Sequence, residues 1–341
     1  MEGECVALPT EASYELVASA LHPGATERLR SLKAPEQTPA VVLFEHAQLL
    51  DWLPRLRGSG ARLFRKLGPG PVGLRADAGC ASGLLSRLPG PIRDMLVQAG
   101  RMTVRWPAHP IWGELGQAGL PLVSVPVEGG VNAEETAKHV GSVAACIVDA
   151  GATQFGGPVT IVKAVGRRCL VERLGVLLQE QIDELAVCRI LFICTGNTCR
   201  SPMAERLCAK LLSDHLGCAP ADLSQQGFCV QSAGMAAMMG GEASPDAVRV
   251  AAELGTDLAS HRSRMATWEM FAWADHVFAM TAGQWYALRD IAAATMPPPS
   301  MLSPRHEDIA DPIGGELADY RTCAHQILEC LKERLPELLE S

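Results

Sequence analysis

Residues 190–202 read ILFICTGNTCRSP, and this stretch decides the fold of the C-terminal half of the chain. Residues 190–193 form an unbroken apolar run, which is typical of a parallel strand buried on both faces. Gly196 and Asn197 follow in a short polar loop, and Pro202 suits the first turn of a helix predicted to continue over residues 203–216. This order of strand, tight loop and helix N-terminus predicts an α/β domain whose loop amides converge on an anion.

Two residues that suit phosphoryl transfer lie at the ends of this loop. Cys194 comes first, where the positive end of the following helix and a nearby guanidinium would favour the thiolate. Arg200 lies six residues later, and its planar guanidinium can bind two phosphoryl oxygens at once. A thiolate beneath a phosphate-binding Arg predicts phosphoryl transfer through a covalent intermediate.

Length and composition exclude several other classes of protein. The 341 residues predict two domains, and we place the boundary near residue 187, which gives domains 1–187 and 188–341. With 30 Lys+Arg against 38 Asp+Glu, the net charge of −8 argues against non-specific nucleic-acid binding. No run is long and apolar enough for a membrane span, and the N-terminus lacks signal-peptide order. The 12 scattered cysteines lack zinc-site spacing, so we expect a cytoplasmic protein with reduced thiols, no metal and no cofactor.

The sequence CTGNTCRSPMAE at residues 194–205 resembles the active-site loop of the low-molecular-weight protein phosphatases. Further landmarks of that family follow in order towards the C-terminus: Ser232-Ala233-Gly234, Ser244-Pro245-Asp246-Ala247, His261-Arg262-Ser263-Arg264, residues 274–280 and Asp311-Pro312-Ile313-Gly314-Gly315. The resemblance implies a four-stranded parallel sheet, a phosphorylated protein as substrate and a phosphocysteine intermediate.

The resemblance also implies a role for each matched residue. Cys194 would attack phosphorus, and Ser201 would donate a hydrogen bond to the thiolate. Arg200 would stabilise the equatorial oxygens together with the loop amides, which belong to Thr195, Gly196, Asn197, Thr198 and Cys199. Ser232 and His261 would support Asn197 and so hold the loop rigid.

The general acid is implied to be Asp311, which would protonate the leaving group and then activate water. From the residues alone, Asp308 and Asp319 compete for this role. The Asp-Pro context and the family resemblance favour Asp311 over both.

Two positions bear on the substrate. The tyrosine-directed branch usually has Ile before the second loop Cys and an aromatic pair after Asp-Pro, whereas this chain has Thr198 and Ile313-Gly314. A polar residue at 198 resembles the branch that removes phosphate from arginine in proteins. That branch often has Phe where Ile313 stands, so phosphotyrosine stays an alternative to the favoured phosphoarginine. The related arsenate reductases need two more cysteines about 70–80 residues after the nucleophile, and the absence of Cys between Cys229 and Cys323 argues against that activity.

Cys199 has two interpretations. A second thiol five residues from Cys194 could form a disulfide with an oxidised nucleophile and so protect it. Alternatively, the side chain only packs.

The N-terminal half resembles the YrdC-like threonylcarbamoyl-AMP synthases, which make a tRNA-modification intermediate from threonine, bicarbonate and ATP. The resemblance covers most of residues 5–177 and starts with Pro9-Thr10-Glu11-Ala12-Ser13-Tyr14. Its other landmarks are residues 32–35, 67–71, 103–110 and 157–162. It implies a twisted, mostly parallel α/β sheet with a concave, basic-lined face.

Departures from that family fall where nucleotide would bind. Lys33 is followed by Ala34-Pro35 without the family's Arg, and Pro126-Val127-Glu128 replaces Ser-Ala-Asn. Val159 and Glu15 replace a Ser and a Gly. Losing these donors would abolish useful ATP affinity, so we expect a non-catalytic domain of unknown ligand, with a remnant nucleotide or RNA site as the candidates. The alternatives are a bifunctional enzyme and an inert scaffold, and the complete Cys/Arg/Asp set argues against the scaffold.

Overall fold

The computed structural model describes residues 3–31, 39–79, 83–141, 143–291 and 297–340. The chain forms two units, Met1–Ala186 and Val187–Ser341, and each contains its own sheet. Lys33, Ala34 and Pro35, where the sequence predicts a missing phosphate-binding Arg, lie outside the described residues.

The first unit is built on one mixed sheet. Its strands, over the described part of the chain, are β1 (Cys5–Leu8), β2 (Glu15–Ser19), β3 (Ala40–Val42), β4 (Val72–Asp77), β5 (Arg101–Arg105), β6 (Leu122–Pro126), β7 (Ala144–Ile147), β8 (Thr160–Val165) and β9 (Arg168–Arg173). Their order in the sheet is β7-β1-β2-β6-β3-β5-β4-β8-β9. The helices are α1 (Pro23–Ser31), α2 (Leu49–Trp52), α3 (Ser59–Leu67), α4 (Gly90–Leu96), α5 (Pro110–Gly116), α6 (Ala133–Val140) and α7 (Gln179–Ala186).

The expectation of a mostly parallel sheet in this unit is wrong. Of the eight strand pairings between described strands, five are antiparallel and three are parallel. The shortest connection shows the reason, because β8 and β9 are joined by two residues, of which Gly166 has a φ of 58°. A two-residue hairpin can join only antiparallel neighbours.

Alternation along the strands places the main apolar core on one face and a mixture of polar and apolar side chains on the other. Leu16 of β2 and Val104 of β5 belong to the main core of the unit. The intervening positions point to the opposite face, where four buried polar residues lie: Glu15, Thr103, Arg105 and Ser124. The first unit therefore encloses polar side chains on one side of its sheet.

The second unit confirms the predicted four-stranded parallel sheet. Its strands are β10 (Cys188–Cys194), β11 (Phe228–Gly234), β12 (His276–Ala279) and β13 (Ser300–Met301), in the order β11-β10-β12-β13. The helices in its described residues are α8 (Arg200–Leu216), α9 (Pro245–Glu253), α10 (Trp268–Trp273), α11 (Ala282–Ile291) and α12 (Leu317–Glu340).

Both faces of this sheet are covered, which explains the unbroken apolar run in β10. Ile190, Phe192 and Cys194 point into the larger core beside α8, α9 and α12. Leu191 and Ile193 point into the smaller core with residues of α10 and α11. Strand β10 is flanked by β11 and β12 and is buried on both faces. Its last residue, Cys194, lies at the carboxyl end of the sheet, where the loop begins.

Candidate active site

The loop after β10 is held against the end of β11. Cys194 is the last residue of β10, residues 195–199 form the loop, and α8 begins at Arg200. The backbone N–H groups of Met235 and Ala236 donate to the carbonyl oxygens of Cys194 and Thr195, each at 2.9 Å. A Cβ at Gly234 would lie 2.5 Å from the Thr195 oxygen, so only glycine permits this approach. The two strand ends thus fix where the loop starts.

Three groups converge on the sulfur of Cys194, whose residue is only 2% exposed. Ser201 Oγ lies 2.9 Å from Sγ. The N–H of Asn197 donates to Sγ at 3.2 Å. The N-terminal end of α8 follows directly, and a helix N-terminus favours negative charge. The sulfur therefore lies among hydrogen-bond donors at a helix N-terminus, a position that suits an anion.

Asn197 is the residue that gives the loop its shape. It has a left-handed φ of 54°, which Asn tolerates better than most side chains, and it is fully buried. Its Nδ2 donates to Ser201 Oγ at 3.0 Å and to Ser232 Oγ at 2.9 Å. Its carbonyl oxygen lies 2.8 Å from His261 Nε2. The structure therefore brings Ser201, Ser232 and His261 together around Asn197.

Glu205 and Arg264 also belong to this network, and neither was predicted as a site residue from the sequence. Glu205 accepts a hydrogen bond from Ser232 Oγ at 2.6 Å. Arg264 donates its backbone N–H to Asn197 Oδ1 at 3.0 Å and its Nε–H to the Ser232 carbonyl at 2.8 Å. The spacing of Glu205 from Ser201, one helical turn, was the available signal, because residues four apart share a helix face.

Arg200 and Asp311 meet although 111 residues separate them. Arg200 Nη2 contacts Asp311 Oδ2, and Nη1 donates to the Ile309 carbonyl at 3.4 Å. The Arg200 side chain is 6% exposed and that of Asp311 is 42% exposed, so the carboxylate reaches the buried guanidinium from the solvent side.

The two competing acids have other partners. Asp308 Oδ1 accepts the N–H of Ala282 at 2.7 Å, at the start of α11. Asp319 Oδ2 accepts the N–H of Glu316 at 2.8 Å, just before α12. Of the three candidates, Asp311 is the one in contact with Arg200.

Cys199 and Thr198 lie on the α12 side of the loop. Cys199 is buried, with Thr198 Oγ1 at 3.6 Å and the Tyr320 hydroxyl at 3.8 Å from its sulfur. Burial raises the pKa of the Cys199 thiol above its ordinary value, although both hydroxyls oppose this. Cys199 is a free thiol in the structure, as is Cys194. The Thr198 carbonyl accepts the N–H of Ser244 at 2.9 Å.

The other side of the loop is held by α11. Gln284, which the sequence analysis did not select, donates from Nε2 to Thr195 Oγ1 at 3.1 Å. Gly196, between Thr195 and Asn197, is half-buried and has only Thr198 Oγ1 near its Cβ position. The five loop residues predicted for the site, 195–199, therefore form the whole connection between β10 and α8.

Over the described ranges, no group of three or more His, Cys, Asp or Glu side chains is arranged to hold a metal ion. No helix in those ranges is long and apolar enough to cross a membrane.

Comparison with known proteins gives a family for each part of the chain. Residues 189–341 match the family described as low molecular weight phosphotyrosine protein phosphatase. Residues 1–175 match the family described as telomere recombination, which groups Sua5, YciO and YrdC.

Three similar proteins are phosphatases that each cover less than half of this chain. A protein-arginine-phosphatase of Geobacillus stearothermophilus is 40% identical, covering 45% of this chain and 97% of that protein. A protein-arginine-phosphatase of Bacillus subtilis is 33% identical, covering 44% and 95%. The crystal structure of a low molecular weight protein tyrosine phosphatase from T. tengcongensis is 30% identical, covers 44% and 99%, and has a TM-score of 0.39. The chain therefore belongs to two families: residues 189–341 to the low-molecular-weight protein phosphatases, hydrolases of phosphorylated proteins, and residues 1–175 to the Sua5, YciO and YrdC family.

Proposed function

We propose that residues 188–341 form a protein-arginine phosphatase that works through a phosphocysteine on Cys194. The observation that carries this proposal is the convergence on Cys194 Sγ of the Ser201 hydroxyl at 2.9 Å, the Asn197 N–H at 3.2 Å and the start of α8. A thiolate buried without such partners would be strongly destabilised. With them, it is a nucleophile that a hydroxyl, a backbone N–H and a helix N-terminus stabilise.

In the first step, the thiolate attacks phosphorus as the bond between phosphorus and the leaving nitrogen breaks. A sulfur–phosphorus bond forms, and the nitrogen takes a proton from Asp311, since a guanidine leaves poorly without one. Arg200 and the loop amides stabilise the three equatorial oxygens, where charge accumulates.

In the second step, water attacks the phosphocysteine and the sulfur–phosphorus bond breaks. Asp311 accepts the proton from water, phosphate leaves, and the thiolate is restored. The contact between Arg200 and Asp311 fits this sequence, because an incoming phosphoryl group competes for the guanidinium and frees the carboxyl group beside the leaving atom.

The substrate preference rests on the polar residue Thr198 in the phosphate loop and on the lack of an aromatic pair after Asp311-Pro312. The position after Asp311-Pro312 is occupied by Ile313, which is 67% exposed, and then by Gly314 with a φ of 77°. A phenyl ring would find no aromatic partner there and would lack a stacking contribution of about 0.5–1.5 kcal/mol. Two relatives of this chain are named protein-arginine-phosphatase, which also supports phosphoarginine as the substrate.

Phosphotyrosine is the second candidate, because the matched family is described by that activity. The test is kcat/KM for two peptides of identical flanking sequence, one with phosphoarginine and one with phosphotyrosine. We expect at least about a tenfold preference for phosphoarginine. A preference for phosphotyrosine would reverse the assignment.

For the first unit we propose a non-catalytic role. Glu15 is completely buried, and its Oε1 lies 2.5 Å from Arg105 Nε. Arg105 also pairs with Glu11 at 3.1 Å, so two carboxylates of the same chain neutralise this guanidinium. Val159 is fully buried and offers no hydroxyl, while Glu128 is exposed and would repel polyphosphate. An anionic nucleotide therefore finds few free donors among these residues.

The alternative is a bifunctional enzyme that also makes threonylcarbamoyl-AMP. Isothermal titration of the full chain with ATP should give no binding tighter than about millimolar. ATP binding at micromolar concentration together with threonine-dependent pyrophosphate release would establish the bifunctional enzyme instead. A remnant nucleotide site would appear in the same titration as weak ATP binding without pyrophosphate release, and a remnant RNA site would appear in a parallel titration with RNA.

For the compartment we propose the reducing cytoplasm. Attack on phosphorus needs Cys194 as a thiolate, and an oxidising compartment would convert it to a disulfide or an oxyacid. All eleven described cysteines are free thiols.

A further inference from the structure

Gln284 is a buried carboxamide whose two ends are both bonded. It lies in the first turn of α11 and is 8% exposed. Its Oε1 accepts the N–H of Met280 at 3.0 Å, and its Nε2 donates to Thr195 Oγ1 at 3.1 Å. A buried amide is tolerated when such bonds are made, and these bonds set its orientation. The donor end is therefore directed at the residue next to the nucleophile.

This contact determines what the Thr195 hydroxyl can do. Thr195 follows Cys194 directly and is exposed. A hydroxyl oxygen has two lone pairs and one hydrogen, and Gln284 occupies one lone pair. The hydrogen cannot point at the amide N–H, so the second lone pair and the hydrogen both face away from α11. Gln284 thus fixes the position of Thr195 Oγ1 and leaves its second lone pair able to accept a hydrogen bond.

The turn that carries Gln284 also holds the acid loop. The N–H of Ala282 donates to Asp308 Oδ1 at 2.7 Å, and the N–H of Ile309 donates to the Met280 carbonyl at 2.8 Å. Residues 280–284 therefore bond to the nucleophile loop on one side and to the segment leading into Asp311 on the other. A group fixed to this turn keeps its place relative to both catalytic loops.

We propose that Gln284 is a positioning residue that holds the Thr195 hydroxyl as a hydrogen-bond acceptor for the leaving group of phosphoarginine, an inference that rests on the function proposed above. In phosphoarginine the nitrogen atoms at and next to the bond that breaks carry N–H groups. The bridging oxygen of phosphotyrosine carries no hydrogen. A hydrogen-bond acceptor beside the nucleophile therefore speeds the hydrolysis of phosphoarginine and has no hydrogen to bind in phosphotyrosine.

The experiment compares the full-length chain with three variants: Gln284→Leu, Thr195→Val and the double variant. Each is assayed on matched phosphoarginine and phosphotyrosine peptides, with kcat and KM determined separately. Either single change should lower kcat/KM for phosphoarginine about tenfold, the size expected for one hydrogen bond to a charged group. Phosphotyrosine hydrolysis should fall several-fold less than phosphoarginine hydrolysis, because the lost acceptor serves only phosphoarginine. The double variant should discriminate between the two peptides no worse than Thr195→Val, since the discrimination depends on one shared contact.

A control separates this role from general damage to the fold. Gln226→Leu removes an exposed carboxamide on the turn before β11 and should leave both activities unchanged. Thr195→Val alters an exposed side chain, so it keeps the test decisive if Gln284→Leu does not fold. Equal losses on both substrates, or no loss on phosphoarginine, would overturn the role of Gln284 alone. A wild-type chain that hydrolyses only phosphotyrosine would instead overturn the proposed function and this inference with it.

Discussion

Replacing Asn197 with glycine should destabilise the second unit by about 1.5–4.5 kcal/mol, because it removes three buried hydrogen bonds worth about 0.5–1.5 kcal/mol each. These are the bonds from Nδ2 to Ser201 and Ser232 and the bond from the Arg264 N–H to Oδ1. Replacement with alanine should cost about 1–2 kcal/mol more, since alanine must adopt the φ of 54° that glycine adopts freely.

Both Asn197 variants should also lose turnover. The Asn197 N–H and the Ser201 hydroxyl are aimed at Cys194 Sγ only while the side-chain network holds the loop. A displacement of the loop by about 1 Å can cost about 100-fold in rate, and we expect a loss of that size. It should be equal for phosphoarginine and phosphotyrosine peptides, because the phosphate loop serves both.

The assay is urea unfolding of the full chain, followed by circular dichroism with and without inorganic phosphate. We expect phosphate to bind the native second unit and to raise the midpoint of its unfolding, which would identify that transition. Asn132→Gly is a matched control, because Asn132 Oδ1 accepts the N–H of Glu135 at 2.8 Å at the start of α6 in the first unit. Asn132→Gly should lower only the midpoint of the transition that belongs to the first unit.

Two results would refute this reasoning. Equal stability of the glycine and alanine variants would show that the left-handed backbone at residue 197 costs nothing. Wild-type turnover in either variant would show that the side-chain network does not hold the phosphate loop.

Three further changes test the remaining parts of the molecule. Cys194→Ser should abolish turnover while phosphate still binds, because a hydroxyl is a far weaker nucleophile at neutral pH; full activity would exclude the covalent mechanism. Asp311→Asn should slow phosphoarginine hydrolysis strongly and activated aryl phosphates much less, since only the former need a proton, and equal losses would indicate another acid. Burial raises the pKa of Glu15 above its ordinary 4.5, so the native first unit binds a proton more readily than the unfolded chain. Its unfolding free energy should therefore fall as the pH rises from about 4.5, and Glu15→Gln should flatten that slope in a denaturation series; an unchanged slope would mean that Glu15 is not its source.

The nucleophile loop was predictable because its parts are adjacent in sequence. Strand β10 and helix α8 were predicted at residues 190–193 and 203–216, and they span Cys188–Cys194 and Arg200–Leu216. The helix begins three residues earlier than predicted, at Arg200, so that Pro202 lies in its first turn. In the first unit, apolar runs indicated strands. The neighbours and the direction of each strand depend on the path of the connecting segments, which the runs do not show. The prediction of a mostly parallel sheet was therefore wrong.

The sequence by itself therefore determined the local elements: Cys194 at the end of a buried strand, Arg200 at the start of a helix, and an anion-binding loop between them. These follow from backbone preferences and hydrophobic periodicity over a dozen residues. The family resemblance implied Ser232, His261 and Asp311 at the site, but only the tertiary structure decided the contacts they make and which further side chains join them. Asp311 rather than Asp308 meets Arg200, and Gln284 reaches Thr195 across 89 residues. Such contacts depend on how helices pack on the sheet, because packing sets the direction of each side chain and residue type alone does not.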